Sequence, residues 1–118
     1  MFPTSNQASG LRISLYVASG DFSEERCTQL AEWIEHLALS EWKSWVLDFS
    51  AVAHVNYRGL ARLSHTARAL EHTGGFFRWC GMSPYLRDIA AVAGACDRPV
   101  YRNRLEAVRG FEGALNGV

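Results

Sequence analysis

Val46-Leu47-Asp48-Phe49-Ser50-Ala51-Val52-Ala53-His54-Val55-Asn56-Tyr57-Arg58-Gly59-Leu60-Ala61-Arg62-Leu63 changes its hydrophobic period partway along. From Ser44 to Phe49 the chain is mostly apolar, with Asp48 as its only charge. This run is too brief for a helix and suits a central strand buried on both faces. From Tyr57 to His72, Leu60, Leu63, Ala67 and Leu70 return on one helical face. Ser50 to Gly59 then reads as a loop that carries Val52 and Val55, with Asn56 well suited to cap the helix. Strand, loop and helix in this order begin a parallel crossover unit.

Similar units lie on either side. Leu11, Ile13, Leu15 and Val17 alternate with Arg12, Ser14 and Tyr16, the period of a strand with one buried face. Ser19-Gly20 is expected to break that strand, and Asp21 with Glu24 three residues on to cap a helix from about Phe22 to Leu39. Its apolar stripe is Cys27, Leu30, Ala31, Ile34, Leu37 and Ala38, while Trp33 and Trp42 fall outside it. Gly74-Gly75 ends the second helix, Phe76 to Cys80 is a third strand, and Ser83-Pro84 opens a third helix running to about Ala93. Pro99-Val100-Tyr101 is a last short strand, and Asn103 with Glu106 caps a final helix carrying Leu105, Val108, Phe111 and Leu115. The expected fold is α/β, a single sheet of four to five mostly parallel strands alternating with helices. Residues 1–10 are expected to form an arm or edge strand, and residues 11–118 one domain. A ligand or partner site belongs beyond the carboxyl ends of the strands.

The composition removes several classes of function. With 118 residues, 48% of them hydrophobic, the chain can fill one core. Twelve basic and twelve acidic residues cancel, which argues against a general nucleic-acid binder. No apolar run has the length of a membrane span and no leader pattern opens the chain, so a soluble cytoplasmic protein without membrane insertion is expected. Cys27, Cys80 and Cys96 are odd in number, widely spaced and set among apolar residues, as reduced core thiols would be. The chain has no phosphate-cradling glycine loop and no nucleophile elbow. His36, His54, His65 and His72 lack the spacing of metal ligands. No metal, cofactor or catalytic residue is expected.

The opening stretch resembles the signature of STAS domains, the family of bacterial anti-sigma factor antagonists, which runs approximately v-l-D-l-S-x-v-x-x-i-D-S-S-G-l-a-x-L. The spacing matches without a gap from Val46 to Leu63, and Gly20-Asp21, Gly74-Gly75, Gly81 and Glu106-Ala107-Val108 agree with other marks of the family. The resemblance implies a non-enzymatic signalling module. In that family a kinase-like anti-sigma factor phosphorylates the serine after the Asp of D-S-S-G and is released by the added charge. Here Asn56 stands for that Asp, Tyr57 for the phosphorylated Ser and Arg58 for the second Ser. A tyrosine hydroxyl sits further from the backbone than a serine hydroxyl and would not be presented for in-line transfer. Constitutive partner binding is therefore expected, through His54, Asn56, Tyr57, Arg58, Arg62 and His65. Asp48, Ser50 and Gly59 are the motif and packing residues, Gly59 where helix and strand approach closely.

Two readings of the second helix stay open. Arg58, Arg62, His65 and His72 form a basic stripe opposite the apolar one, either a solvated face or a contact for an acidic groove on a partner. The resemblance also leaves a STAS subunit bound to a lipid or anion transporter ATPase, and a small-molecule sensor, as alternatives. Trp33, Trp42 and Phe22, outside or at the edge of the stripe, leave room for a homodimer.

Overall fold

The computed structural model describes residues 4–8, 11–39, 44–95 and 99–109, and gives no side-chain placement for 4–8 and 11–12. Strand β1 (Thr4–Ala8) is followed by β2 (Leu11–Phe22), α1 (Glu24–Ala38), β3 (Ser44–Val55), α2 (Tyr57–His72), β4 (Phe76–Cys80), α3 (Pro84–Val92) and β5 (Val100–Tyr101). Residues 104–109 are helical. Trp42, Cys96, Phe111 and Leu115 lie outside the described residues.

The five strands form one sheet in chain order, with β2 to β5 parallel and β1 antiparallel to β2. Right-handed crossovers that all step the same way place their helices on one face of a sheet. One buried cluster accordingly joins Ala31 and Ile34 of α1, Leu60 and Leu63 of α2 and Leu86 of α3 to Leu47, Phe49, Phe77 and Trp79 of the sheet. On the other face Ala107, from the helical segment 104–109, packs with Ile13, Val46 and Cys80. The strand order never reverses, so no crevice of the switch-point kind opens between neighbouring loops. What forms at the carboxyl ends is a corner between strand, helix and helix.

Both long strands outrun their expected limits. β2 continues through Ser19-Gly20 to Phe22, so Asp21 is a strand residue and Ser23 caps α1, accepting from Arg26 N at 3.2 Å. β3 continues from Phe49 to Val55, so Ser50 and His54 lie in strand and only Asn56 separates β3 from α2. The register slips between Val17 and Ser19 and again between Gly20 and Asp21, where β3 carries one more residue than β2. Such bulges break the two-residue alternation that marks a strand in sequence. Gly20 sits at the second bulge with φ +75°, the left-handed region open to glycine.

Phe22 is buried, and Trp33 is half-buried with its ring against Trp45 and Tyr16 at centroid distances of 5.9 and 6.1 Å. Phe22 is therefore a core residue, and Trp33 lies at the core edge. Cys27 and Cys80 are free and buried, and burial pushes both thiols up to about 12. No helix among the described residues is long and apolar enough to cross a membrane.

Candidate functional site

Asn56 makes the corner. Its backbone N–H donates to Phe22 O at 2.8 Å, which fixes the end of β3 beside the end of β2. Its side-chain oxygen accepts from Arg58 N at 2.9 Å and Gly59 N at 3.0 Å, so it satisfies two of the donors that a helix start leaves open. Gly59, in that first turn, lies against α1: a Cβ there would meet Cys27 Cβ at 2.6 Å. The close approach is between two helices, not between helix and strand as the sequence suggested.

The next two side chains point away from the core. Tyr57 is 47% exposed, and its hydroxyl accepts from Arg58 Nε at 3.2 Å. The Arg58 guanidinium lies 5.7 Å from the Tyr57 ring centroid, within cation–π range. His54, two residues before the cap, faces solvent from the end of β3, and its Nδ1 is 2.7 Å from the Tyr85 hydroxyl of α3. Between this corner and α3 lies an open cavity of about 380 Å³, lined mainly by His54, Tyr57, Tyr85, Asp88, Ile89 and Val92.

Arg62 departs from the expected basic stripe. It reaches α1, where Nη1 donates to Glu35 Oε2 at 2.6 Å and Nη2 to Oε1 at 2.9 Å. Thr66 joins the pair, with its hydroxyl 2.6 Å from Glu35 Oε2. The Arg62 hydrogen bond, working against partial burial, holds the Glu35 carboxyl below the usual carboxylate range. Arg62 is thus a tie between helices, while Arg58, His65 and His72 remain exposed on α2. Arg62→Ala is expected to cost about 1–2 kcal/mol, since a bidentate pair is stronger than an ordinary surface pair but solvent still reaches this one. Arg62→Glu should cost more, and a Glu35→Arg/Arg62→Glu double variant should regain part of the loss in thermal unfolding. Equal melting of Arg62→Glu and wild type would remove the tie.

Asp48 and Ser50 belong to a separate cluster. Asp48 Oδ1 accepts from Ser50 N at 2.9 Å and Oδ2 accepts from Arg104 Nε at 2.5 Å, joining β3 to the last helical segment. Gly81, with φ +76°, passes so close that a Cβ would sit 2.9 Å from Asp48 Oδ1 and from Ser50 N. Asp48 is a buried anchor rather than a partner contact.

Three residues of this geometry escaped the sequence reading: Glu35, Tyr85 and Arg104. Each acts across a separation of 27 residues or more, which no helical or strand period reports. The faint signal for Tyr85 was a large aromatic beside the buried stripe of α3. Among the described residues no group of three His, Cys, Asp or Glu side chains is placed to hold a metal ion.

Residues 8–107 match the family model described as STAS domain. No curated protein matches the sequence. Among solved structures, an anti-sigma factor antagonist from Mycobacterium paratuberculosis is 22% identical, with 92% of this chain and 91% of that one covered and a TM-score of 0.71. The Bacillus cell fate determinant SpoIIAA in its phosphorylated form is 14% identical over 92% of this chain and 98% of its own, with a TM-score of 0.69. A sulfate transporter family protein from Wolinella succinogenes is 16% identical over 88% of each chain, with a TM-score of 0.72.

Proposed function

The chain belongs to the STAS domain family, and on that premise we propose that it is a cytoplasmic, non-enzymatic binding module of the anti-sigma factor antagonist kind that engages its protein partner constitutively. The observation that carries this reading is the corner at the start of α2. At the position where the resemblance puts a phosphoacceptor serine stands Tyr57, half-exposed and bonded to Arg58, while Asn56 already occupies the N–H groups of Arg58 and Gly59.

A phosphate works as a switch at a helix start because it adds up to two negative charges inside a docked surface. With a tyrosine there, the hydroxyl is carried outward on a rigid ring and paired with a cation. A serine/threonine kinase has no hydroxyl at the depth it needs. His54, Tyr57 and Arg58 would then be standing contacts, with His65 two turns along α2 on the same side as Arg58. Asn56 sets their geometry through its cap. Arg62 contributes from behind by fixing α2 on α1.

The reading is tested by affinity capture with wild-type protein and Tyr57→Ser, followed by phosphopeptide mapping. Wild type should hold an unmodified kinase-like anti-sigma partner. Tyr57→Ser should become phosphorylated and lose about tenfold or more in retained partner. Recovery of a transporter ATPase by both proteins would replace the antagonist role with that of a transporter subunit. Recovery of no partner by either would sink both.

A further inference from the structure

Helix α3 has more apolar surface than the core uses. Leu86 and Ala90 are buried against the sheet side. Tyr85, Asp88, Ile89 and Val92 fall at i, i+3, i+4 and i+7, a second stripe that faces the cavity beside the α2 corner. Tyr85 is 53% and Val92 75% exposed. With Tyr57 they make up three of the five large exposed hydrophobic side chains among the described residues, all on one groove. Scattered exposed apolar residues are ordinary, whereas convergence on a concave surface marks a contact site.

The groove is also preorganised and charged. The bond between Tyr85 and His54 Nδ1 holds one wall in place before anything binds, which lowers the ordering cost of association. Asp88, in the middle of the stripe, forms no ion pair among the described residues. A carboxylate left between Ile89 and Tyr85 would be desolvated by any purely apolar occupant, at a cost. The occupant therefore brings a cation to that point. From Tyr85 to Val92 the stripe spans about 10 Å, the reach of two helical turns.

We infer that this groove receives an amphipathic helix of the protein partner, whose apolar residues lie on Tyr85, Ile89, Val92 and Tyr57 and whose Lys or Arg pairs with Asp88. The inference rests on the protein-binding role proposed above and assigns that partner its chemistry. An occupant helix presents its own apolar anchors at i, i+3 or i+4, and i+7 over about 10 Å, the same length as the α3 wall.

The test is selection of helix-stabilised peptides, about three turns long, from a displayed library against the whole protein. Selected peptides should carry apolar anchors at helical spacing and a basic residue, and should shift the backbone amides of Tyr85, Asp88, Ile89 and Val92. Val92→Glu should weaken them about thirtyfold and Asp88→Lys about tenfold. A peptide with Glu in place of its basic residue should bind Asp88→Lys better than wild type. Both positions are exposed, so wild-type melting of these variants establishes that folding is intact. No enriched peptide, amide shifts elsewhere, or unchanged affinity in both variants would overturn the inference. In the capture experiment, a native partner held equally by wild type, Asp88→Lys and Val92→Glu removes the groove and leaves the antagonist reading standing. Peptides seated in the groove with no anti-sigma partner captured do the reverse.

Discussion

Gly59→Ala is expected to destabilise the protein by about 2–3 kcal/mol and to lower its melting temperature by about 8–12 °C. The sign is the informative part, because alanine in place of glycine inside a helix ordinarily stabilises by about 1 kcal/mol. Here the added Cβ would stand 2.6 Å from Cys27 Cβ, 2.7 Å from Cys27 Sγ and 3.2 Å from Glu24 Cα. Two of those atoms, a Cβ and a Cα, are fixed by the backbone of α1 and cannot swing aside. The helices would have to separate, and the Asn56 cap and Tyr57 would move with α2. Urea and thermal unfolding of Gly59→Ala, Cys27→Gly and the double variant measure the effect. Part of the loss from Gly59→Ala should return when Cys27 is reduced to glycine, a coupling that independent sites do not show. A Gly59→Ala protein as stable as wild type would refute the close helix contact.

Asp48→Ala should cost about 2–4 kcal/mol, and Asp48→Asn less, since the amide oxygen can still accept from Ser50 N. Removing the carboxylate leaves Ser50 N without its acceptor and frees Arg104, so the helical segment 104–109 loses its tie to β3. Burial alone would raise the Asp48 carboxyl, but hydrogen bonds from Arg104 and Ser50 outweigh it and hold the group below its ordinary range. A carboxyl lower in the folded than in the unfolded chain contributes stability above its unfolded pKa of about 4. That contribution disappears as pH falls through the folded value. The stability gap between wild type and Asp48→Asn should therefore be full near neutral pH and shrink steadily below about pH 4. Parallel acid profiles for the two proteins would show that the anchor is not ionic.

Asp48 illustrates how far a sequence can be read. Its place inside a buried strand followed from the apolar residues around it, but its partner did not, because Arg104 is brought to it only by two further crossovers. The same limit hid Glu35 from Arg62, and so an inter-helix tie looked like one member of an exposed basic stripe. A helical wheel ranks residues by direction on their own helix and carries no information about what stands opposite.

The ends of β2 and β3 show a different limit. Periodicity located Leu11 to Val17 and Ser44 to Phe49, then lost both strands at the bulges, where an extra residue in β3 puts two neighbours on the solvent side in succession. The candidate site's corner lies in that stretch. The period therefore reads His54 as a loop residue, whereas it lies at the end of β3 with its ring bonded to Tyr85.

The layout is legible along the chain: parallel strands alternating with helices, the start of α2 at Tyr57, the Asn56 cap, and Gly59 as a packing position. These are local properties, set by side-chain period, capping chemistry and residue size within a few positions along the chain. Tertiary structure alone decided which surfaces meet. It turned Arg62 inward to Glu35, joined Asp48 to Arg104, set Gly59 against Cys27, and brought Tyr85 and Asp88 of α3 beside the Tyr57 corner. Those contacts depend on the direction and register of whole elements, which are fixed by burial of the sheet's two faces rather than by any pattern within one segment.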